Sequence, residues 1–379
     1  MTQAFYQNFK IGIIGGGQLG RMLIQSGIDF NITFSVLDPD PQAPCHQLAP
    51  FTCGKLTDYQ TVWNFGQDCD LITIEIENVN TRALADLEKA GKKVFPQPAI
   101  IELMQDKRKQ KQFFKDHKIP TADFLLVENK EEILRHQSYL PAVNKLGREG
   151  YDGRGVQLLR SKEDLTKAFD APGLLEKLID FEKEISVIVS RNEAGEIATF
   201  PAVEMIFHPE ANLVEYLFSP AKLNEGVAIQ AKEIAEHVIQ SLGLVGLLAV
   251  EMFVIKDGHV LVNEVAPRPH NSGHQTIEAN VTSQYEQHLR AILGLPPGDT
   301  SCTASSAMVN ILGEEGFTGL ARYEGLNEVL SLSGVHVHLY GKKQTKPFRK
   351  MGHVTLVDPD LESLKKKANF VKQTLKVKA

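Results

Sequence analysis

The stretch that most restricts the fold is residues 249–264, where two runs of apolar residues flank Asp257-Gly258. An Asp-Gly pair between such runs is the strongest short-range signal for a hairpin with a two-residue type I′ turn. Counting outward from this turn places Glu251 directly opposite Glu264. Apolar residues occupy both faces of the ribbon, so the hairpin should be covered, and two facing carboxylates destabilise a covered ribbon unless a cation lies between them. The sequence therefore predicts a cation at this end of the hairpin.

The chemistry of this end suits a divalent metal ion. Glu251 and Glu264, with the neighbouring Asn263, offer hard oxygen ligands of the kind that bind Mg²⁺, or Mn²⁺ in its place, when substrate phosphates complete the coordination shell. The alternatives are that the carboxylates pair with Lys or Arg side chains elsewhere, or that the register is slipped by one residue. The loop that follows favours a substrate site, because polar donors crowd a loop at the end of a buried strand. These donors are Arg268, His270, Asn271 and His274.

The composition indicates an ordinary globular chain of several domains. It has 379 residues, of which 42% are hydrophobic and 23% charged, enough for two or three domains with their own cores. A net charge of −6 argues against broad nucleic-acid binding, which requires a basic surface. No apolar run approaches ~20 residues and the N-terminus lacks a signal-peptide pattern, so we expect a cytoplasmic protein with no membrane partner. The four cysteines form no C-x-x-C pair and are expected to be reduced.

The strand Lys10–Ile14 leads into a glycine-rich turn and a helix. Gly15, Gly17 and Gly20, with Asp38 at the end of the next strand, match the dinucleotide-binding fingerprint. This pattern makes a nicotinamide-dependent oxidoreductase an alternative function. That function would not explain the paired carboxylates of the hairpin. The physical content of the glycines is more general, since backbone amides at a helix N-terminus attract any anion.

Another strand of this first unit, predicted over residues 71–78, ends with acids that alternate with apolar residues. By the two-residue period of a strand, Glu75 and Glu77 share one face. In a parallel sheet that strand end lies beside the glycine turn, at the edge where ligands bind. Glu75 would then accept hydrogen bonds from a ribose or an amine, and the alternative is a solvated strand end.

Two further features are expected to surround an anion. A strand over residues 141–145 delivers Lys145 inward, and the loop 147–156 that follows has glycines that permit close approach of its backbone to a bulky anion. We interpret this loop as a lid over a triphosphate. The basic run at residues 107–111 begins a helix, and its simplest interpretation is a solvated face.

The remaining segments organise the domains. A strand over residues 173–179 carries Glu176 and Lys177, which alone would be interpreted as a surface pair. Residues 225–242 have apolar side chains at helical spacing and predict an amphipathic core helix. Residues 294–298 mark a linker, after which we expect a small β-rich segment that ends in a helix.

Five separated elements, in order along the chain, resemble the ATP-grasp ligases, and within them the 5-(carboxyamino)imidazole ribonucleotide synthase family. Residues 263–274 resemble the N-E-x-A-P-R-x-H-N-S-G-H pattern of that family, and residues 340–353 resemble its Y-G-K…R-K-M-G-H stretch. Lys107 replaces the more usual arginine of a Q-D-R pattern, which keeps the charge but loses the bidentate fork. In the glycine-rich loop, Glu149 stands where a glycine is expected and Gly147 where an arginine is common.

The resemblance implies a multidomain α/β architecture with an ATP-grasp fold. The expected parts are an N-terminal Rossmann-like α/β domain at residues 1–98, an ATP-grasp domain of two subdomains at 99–295, and a small β-rich C-terminal domain at 296–379. The family also implies a homodimer.

The resemblance further assigns roles to individual residues. Those implied to bind ATP are Lys107, Lys145, Gly150, Tyr151, Asp152, Gly153, Arg154, Gly155, Val156, Glu176, Lys177, Leu178, Ile179, Glu184, His208, Asn263 and Glu264. Those implied to bind the ribonucleotide are Gln18, Leu19, Glu75, Tyr151, Arg154, Lys342 and Arg349. Those implied in catalysis are Asp152, beside the substrate amine, and Arg268, His270 and Asn271, which would hold bicarbonate. Glu251 and Glu264 would bind the metal ion.

The implied reaction joins ATP, bicarbonate and 5-aminoimidazole ribonucleotide. ATP phosphorylates bicarbonate, the resulting carboxyphosphate releases CO₂, and the exocyclic amine of the ribonucleotide attacks the CO₂ to give a carbamate. The alternatives are a sibling ATP-grasp ligase with another acceptor, such as a formate-dependent glycinamide ribonucleotide transformylase or a biotin carboxylase. More distant are the nicotinamide-dependent oxidoreductase and a non-catalytic nucleotide-binding module.

Overall fold

The computed structural model describes residues 9–148, 155–208 and 213–379, and its N-terminal unit is a parallel sheet covered by helices. The strands of this unit are β1 (Lys10–Ile14), β2 (Thr33–Asp38), β3 (Phe51–Cys53), β4 (Leu71–Ile74) and β5 (Lys93–Val94). They pair in parallel in the order β3-β2-β1-β4-β5. The helices are α1 (Gln18–Ile28), α2 (Tyr59–Gln67), α3 (Thr81–Lys89) and α4 (Pro98–Met104). Strands β1 and β4 are apolar on both faces because a hydrophobic core lies on each side of the sheet.

Strand β4 is shorter than the sequence predicts. It ends at Ile74, and Glu75 to Glu77 form a bend instead of the last residues of a strand. The reason is that the neighbouring strand ends at the same level: Ile14 pairs with Ile74, and Gly15, at φ +103°, then turns the chain away. The predicted strand over residues 71–78 is therefore wrong in its second half.

The next unit is a small antiparallel sheet with two helices. Its elements are α5 (Lys107–Asp116), β6 (Phe124–Val127), α6 (Lys130–Arg135), β7 (Ala142–Leu146), β8 (Val156–Leu159) and β9 (Gly173–Lys177). The strands lie in the order β6-β9-β7-β8. Helix α5 begins at Lys107 because the side chain of Asp106 accepts a hydrogen bond from the backbone N–H of Arg108 at 3.0 Å and so caps the helix.

A long antiparallel sheet follows and contains the hairpin. Its elements are β10 (Phe181–Arg191), β11 (Ile197–Thr199), β12 (Val203–Phe207), β13 (Val214–Ser219), α7 (Glu225–Leu242), β14 (Gly246–Ile255), β15 (Val260–Ala266), α8 (Thr276–Ala279) and α9 (Gln284–Leu293). The predicted core helix over residues 225–242 is confirmed. Asn224 caps its start by accepting from the N–H of Val227 at 2.8 Å, and Gly243, at φ +60°, ends it in the left-handed conformation.

The C-terminal segment extends this same sheet. Its elements are β16 (Ser306–Leu312), β17 (Gly319–Leu320), β18 (Arg322–Glu324), α10 (Leu326–Leu330), β19 (Val335–Leu339), β20 (Gln344–Thr345), β21 (Lys350–Val357), α11 (Leu361–Thr374) and β22 (Lys376–Lys378). The strand order is β15-β14-β10-β12-β13-β16-β21-β19, with β11 beside β10. Because β13 and β16 are paired, one sheet crosses the expected boundary near residue 295, and the three domain boundaries stay predictions.

The described chain ends in a strand, not in the expected helix. β22 follows α11 and pairs with β18. Helix α11 packs on the apolar face of β16 and β21, which accounts for its buried stripe of Leu364, Ala368 and Val371. Among the residues described, none of the helices combines the length and the apolar character that a membrane crossing requires.

Candidate active site

The turn of the hairpin differs from the sequence prediction. The N–H of Gly258 donates to the carbonyl oxygen of Ile255 at 2.9 Å, and the N–H of Ile255 donates to that of His259 at 3.0 Å. The loop therefore has three residues, with Gly258 at φ +85° in the left-handed conformation. The predicted two-residue type I′ turn is wrong, and the register near the turn is shifted by one residue.

A bulge at Asn263 restores the predicted pairing. Met252 pairs with Val262, but the next residue of β14, Glu251, pairs with Glu264, so Asn263 is an extra residue on β15. The opposition of Glu251 and Glu264 is thus confirmed, although it results from two irregularities that offset each other. A bulge re-aims side chains, and here both Asn263 and Glu264 contact lysines of the neighbouring unit.

Those two lysines come from α5 and β7. Lys107 Nζ donates to Glu264 Oε2 at 2.6 Å, and Lys145 Nζ donates to Asn263 Oδ1 at 2.9 Å. The Lys107 ammonium holds the pKa of Glu264 well below its usual range, against the effect of burial. Glu264 thus forms an ion pair with a lysine, which is one of the alternatives that the sequence left open.

Glu251 is in a different electrostatic state. Its Oε1 lies 3.6 Å from His270 Nε2, and only 14% of its side chain is exposed. Burial and the neighbouring charge of Glu264 raise the pKa of Glu251. The surroundings of Glu251 therefore disfavour its ionised form, as the pairing of two acids predicts.

A buried triad of charged side chains lies behind this end of the hairpin. Glu176 contacts Lys145 Nζ with one oxygen and Lys111 Nζ with the other, both at 2.5 Å. The predicted surface pair is wrong, because Glu176 is 4% exposed and Lys177 instead donates to the carbonyl oxygen of Tyr139 at 2.9 Å.

Lys111 is a residue that the sequence analysis missed. The basic run was interpreted as a solvated face, but the Lys111 side chain is 3% exposed and that of Lys107 is 19% exposed. The signal was present in the spacing: residues four apart lie on one face of a helix, and here that face meets the hairpin. By contrast, Lys109 on the same helix is half exposed and pairs with Glu102 at the surface.

Most of the described residues that are expected to bind ATP meet at this cluster. Glu184 on β10 lies close enough to Lys145 and Glu264 to interact with their charges, while burial raises its pKa to about 7. Gly155 and Val156 lie beside β7, where Val156 pairs with Lys145. The described members of the predicted set in this cluster are Lys107, Lys145, Gly155, Val156, Glu176, Glu184, Asn263 and Glu264.

Three predicted ATP residues lie beside this cluster. Lys177 is the last residue of β9 and Leu178 and Ile179 follow it; Leu178 donates its N–H to the carbonyl oxygen of Pro141 at 3.3 Å. His208 follows β12, and its ring lies 5.7 Å from the ring of Phe348 in the C-terminal segment.

Part of the glycine-rich loop lies outside the described residues. This applies to Gly150, Tyr151, Asp152, Gly153 and Arg154, whose predicted roles stay predictions.

Gly147, at the start of that loop, has a local explanation. Its carbonyl oxygen accepts from the N–H of Lys107 at 2.7 Å, and a side chain at this position would overlap Arg108. A glycine therefore lets α5 approach the loop at the point where Lys107 begins the helix.

Backbone N–H groups of the glycine turn before α1 donate hydrogen bonds to acidic side chains of the chain itself. Glu75 Oε1 accepts from the N–H of Leu19 at 3.2 Å, and Asp38 Oδ2 accepts from the N–H of Gly16 at 2.7 Å. A side chain at Gly17 would overlap the Glu75 carboxylate. The space that a dinucleotide phosphate occupies in a Rossmann turn is thus filled by Glu75, which argues against nicotinamide binding here.

Arg268 links this turn to the loop after the hairpin. Its Nε lies 2.8 Å from Glu77 Oε1 and forms an ion pair across two units of the fold. Burial raises the pKa of Glu75 to about 7, and the Arg268 charge opposes that shift. Arg268 therefore lies near both acids at the end of β4, although the strand does not continue through them.

Asn271 and its neighbours form the next part of the site. Asn271 is 9% exposed, and among the described residues neither its Oδ1 nor its Nδ2 has a hydrogen-bond partner. Buried polar atoms are usually paired, so this amide indicates a ligand. Gln284 fixes the loop by bonding the N–H and the carbonyl oxygen of His270 at 2.9 and 2.7 Å, a positioning role that the sequence did not reveal.

The basic C-terminal segment reaches the site. Lys342 donates to the carbonyl oxygen of Lys350 at 2.8 Å, and its charge helps to lower the pKa of Glu75 against burial. The Lys350 charge acts in the same way on Glu251, a contribution that the sequence analysis did not single out. Arg349 donates to the carbonyl oxygen of Gln344 at 2.7 Å within its own hairpin.

A stack of histidines joins this segment to the loop after the hairpin. The His353 ring lies 4.6 Å from that of His274 and 4.4 Å from that of His338, which contacts Glu278 at 2.6 Å. Burial lowers the pKa of His274 and His353 well below the usual value, so both are neutral. His274, a donor candidate in the sequence, instead contacts the hydroxyl of Tyr285 at 2.9 Å. The stack holds the C-terminal segment against the site.

Comparison with known families divides the chain into three matching regions. Residues 9–105 match the ribonucleotide synthetase preATP-grasp domain, residues 112–285 the ATP-grasp domain, and residues 306–367 the phosphoribosylaminoimidazole carboxylase C-terminal domain. The three matches follow the order expected from the sequence.

Individual proteins are similar over nearly the whole chain. The N5-carboxyaminoimidazole ribonucleotide synthase of Bacillus subtilis is 37% identical over 94% of this chain and 93% of its own. The synthetase of the same name from Thermotoga maritima has a structure with a TM-score of 0.90, 41% identity and coverage of 98% and 99%. A synthase from Aspergillus clavatus, in complex with ADP and 5-aminoimidazole ribonucleotide, has a TM-score of 0.87, 29% identity and coverage of 97% and 98%. The chain spans 65 to 69% of longer relatives named phosphoribosylaminoimidazole carboxylase.

Proposed function

Because this chain belongs to the N5-carboxyaminoimidazole ribonucleotide synthase family of ATP-grasp ligases, we propose that it carboxylates the exocyclic amine of 5-aminoimidazole ribonucleotide with bicarbonate. The family, the fold and the ligase class predicted from the sequence are confirmed, and ATP is the co-substrate. Bicarbonate as the carbon source, a homodimer and a cytoplasmic location are parts of the proposal.

The observation that carries the proposal is the cluster at the bulged end of the hairpin. Lys107 and Lys145 contact Glu264 and Asn263 at 2.6 and 2.9 Å, so two ammonium groups converge on the bulged end of the hairpin. Phosphoryl transfer needs positioned cations, because charge develops on the oxygens of the transferred group. Lys107 and Lys145 would bind the nucleotide phosphates, and Glu184 would accept hydrogen bonds from the ribose.

The residues present fit a divalent metal ion. Glu251 is a largely buried carboxyl group whose pKa is raised by burial and by the charge of Glu264, which is directly opposite it. In the described part of the chain no three His, Cys, Asp or Glu side chains form a metal site by themselves, so the proposed ion would take its other ligands from phosphates. When bound, Mg²⁺, or Mn²⁺, would neutralise phosphate charge between Glu251 and Glu264.

The bicarbonate end of the site would be built by Arg268, His270 and Asn271. Among the described residues the side-chain amide of Asn271 has no partner for its oxygen or its nitrogen, and bicarbonate offers a hydroxyl and two oxygens that share one negative charge. A bicarbonate oxygen attacks the γ-phosphorus and the bond to ADP breaks, which gives carboxyphosphate. Carboxyphosphate then breaks into CO₂ and phosphate beside Arg268, whose guanidinium stabilises the anions.

The ribonucleotide would bind between the glycine turn and the C-terminal segment. Gln18, Leu19 and Glu75 form one side, and Lys342 and Arg349 would form the other. The amine nitrogen attacks CO₂ and loses a proton. Asp152, which lies outside the described residues, is the proposed acceptor, and Tyr151 and Arg154 would complete this pocket.

The test is the release of phosphate from ATP under four conditions: with and without bicarbonate, and with and without 5-aminoimidazole ribonucleotide. The proposal predicts full turnover only when both are present. Replacement of bicarbonate by formate, or of the ribonucleotide by glycinamide ribonucleotide, separates this reaction from that of a sibling ligase. Turnover with formate and glycinamide ribonucleotide, and none with bicarbonate, would overturn the proposal.

A further inference from the structure

Lys111 is a buried cation to which the proposed reaction gives no role. Its side chain is 3% exposed and lies on the same face of α5 as Lys107, one helical turn away. Its Nζ contacts Glu176 Oε1 and Thr121 Oγ1, both at 2.5 Å, and the carbonyl oxygen of Val262 at 3.5 Å. These three contacts are all with groups of the protein itself.

Glu176 is shared between this cation and another that faces the site. Its second oxygen contacts Lys145 Nζ at 2.5 Å, and Lys145 also donates to Asn263 on the bulged strand. The Glu176 side chain is 5% exposed and that of Lys145 is 10% exposed. One carboxylate neutralises one of two ammonium groups, so the triad of Lys111, Glu176 and Lys145 carries one net positive charge in a site shielded from water.

We propose that Lys111 is a positioning residue that neutralises Glu176 and thereby leaves the charge of Lys145 available to the phosphates of the nucleotide. This inference rests on the proposed role of Lys145 in ATP binding. If Lys111 were absent, Glu176 and Lys145 would form a neutral pair, and a neutral pair attracts an anion less than an isolated ammonium group does.

The charge that this role requires is present at neutral pH. Burial lowers the pKa of Lys111 to about 8, and the charge of Glu176 opposes that shift. Lys111 is therefore mainly protonated at pH 7. The charges of Lys145 and Lys111 hold the pKa of Glu176 below its usual value against the effect of burial, so the carboxylate is ionised.

A purely structural role for Lys111 makes a different prediction. If its side chain only fills space, its removal would lower stability and disturb adenine, ribose and phosphate contacts together. If it balances charge, its removal would weaken the binding of phosphates while the binding of the nucleoside is kept. The ratio of the affinities for ADP and adenosine separates the two roles.

The experiment is a calorimetric titration of the full chain with ADP in the presence of Mg²⁺, with adenosine measured by competition. In Lys111→Met the affinity for ADP should fall about tenfold relative to that for adenosine. The matched control is Lys109→Met on the same helix, which removes an exposed lysine paired with Glu102 and should leave the ratio unchanged. An unchanged ratio in Lys111→Met, or an equal loss for both ligands, would overturn the proposal.

A second pair of variants keeps the test decisive if Lys111→Met does not fold. Glu176→Gln leaves two positive charges in the triad, and Lys111→Met with Glu176→Gln leaves one, as in the unmodified chain. The ADP-to-adenosine ratio should rise in the first and return to near its original value in the second; equal ratios in the two would overturn the inference. Lys145→Met tests the underlying assignment separately, because unaltered ADP binding in that variant would contradict the proposed role of Lys145 itself.

Discussion

The glycine turn before α1 and the bulged end of the hairpin both place carboxylates beside groups that attract anions, but they balance charge differently. At the glycine turn, Glu75 accepts from the N–H of Leu19 and Asp38 from that of Gly16, so backbone donors are bonded to acids of the same unit. The local pattern looks like a dinucleotide site, and the chain itself fills the space.

At the hairpin, the local pattern does not look like a nucleotide site. Glu264 is held by Lys107 of another unit, while Glu251 has His270 at 3.6 Å and a raised pKa. A lysine distant in sequence balances the charge of Glu264, while burial and Glu264 itself disfavour the ionised form of Glu251. In this chain the electrostatics of the Glu251–Glu264 pair indicate a ligand site better than the match of the glycine turn to a dinucleotide-binding pattern does.

The largest expected effect is at the hairpin. Glu264→Gln should reduce kcat by about a hundredfold, or ~3 kcal/mol of transition-state stabilisation, because it removes one of two opposed carboxylates. Steady-state phosphate release at saturating Mg²⁺ measures the change. Glu102→Gln, at an exposed surface pair, is the control and should keep full activity. Turnover near the original value in Glu264→Gln would contradict the metal assignment.

The second prediction concerns the C-terminal segment at the glycine turn. Lys342→Ala should raise the KM for 5-aminoimidazole ribonucleotide about tenfold, the equivalent of ~1.4 kcal/mol, and leave the KM for ATP nearly unchanged. The reason is that the charge of Lys342 acts on Glu75 in the proposed ribonucleotide pocket. Lys343→Ala, at the exposed neighbour, is the control. If neither KM changes in Lys342→Ala, the segment is not part of the site.

A smaller effect is expected inside the glycine turn. A methyl group at Gly17 would overlap the Glu75 carboxylate, so Gly17→Ala should raise the KM for the ribonucleotide by about fivefold, just under ~1 kcal/mol. Gly226→Ala, where the nearest atom would be 3.6 Å away, should leave it unchanged. An unaltered KM in Gly17→Ala would show that the position of Glu75 does not matter for the substrate.

The smallest effect is a pH dependence of stability. Burial raises the pKa of Glu75 to about 7 from the ordinary value of 4.5, so the folded state binds more protons than the unfolded state between these values. Stability from this group is therefore lost as the pH rises from about 4.5 to about 7. Glu75→Gln should raise Tm more at pH 8 than at pH 5, by a few degrees. A difference in Tm that does not vary with pH would contradict the raised pKa.

Much of the fold was predictable because it depends on local patterns. The spacing of apolar residues predicted α7 with correct bounds, and the apolar run Lys10–Ile14 predicted β1. The length of β4 was not predictable, because a strand ends where its neighbour ends. The opposition of Glu251 and Glu264 was predicted through an incorrect turn, since neither the three-residue loop nor the offsetting bulge has a strong local signal.

The site was predictable where a family pattern covers it and less so elsewhere. Lys107, Lys145 and Glu264 were predicted from the resemblance and do lie together in the fold. Lys111 was missed because a basic run on a helix is usually solvated, and only the packing of α5 against the hairpin buries it. Gln284 was missed because its contacts with His270 also depend on packing, since they join residues on two different elements.

The central claim is that Glu251 and Glu264 hold the divalent ion that accompanies the nucleotide. Its most direct test is calorimetric titration with ADP, with and without Mg²⁺, of the original chain and of the double variant Glu251→Gln with Glu264→Gln. The account predicts that Mg²⁺ strengthens ADP binding to the original chain and has little effect on the double variant. An equal gain from Mg²⁺ in both proteins would contradict it.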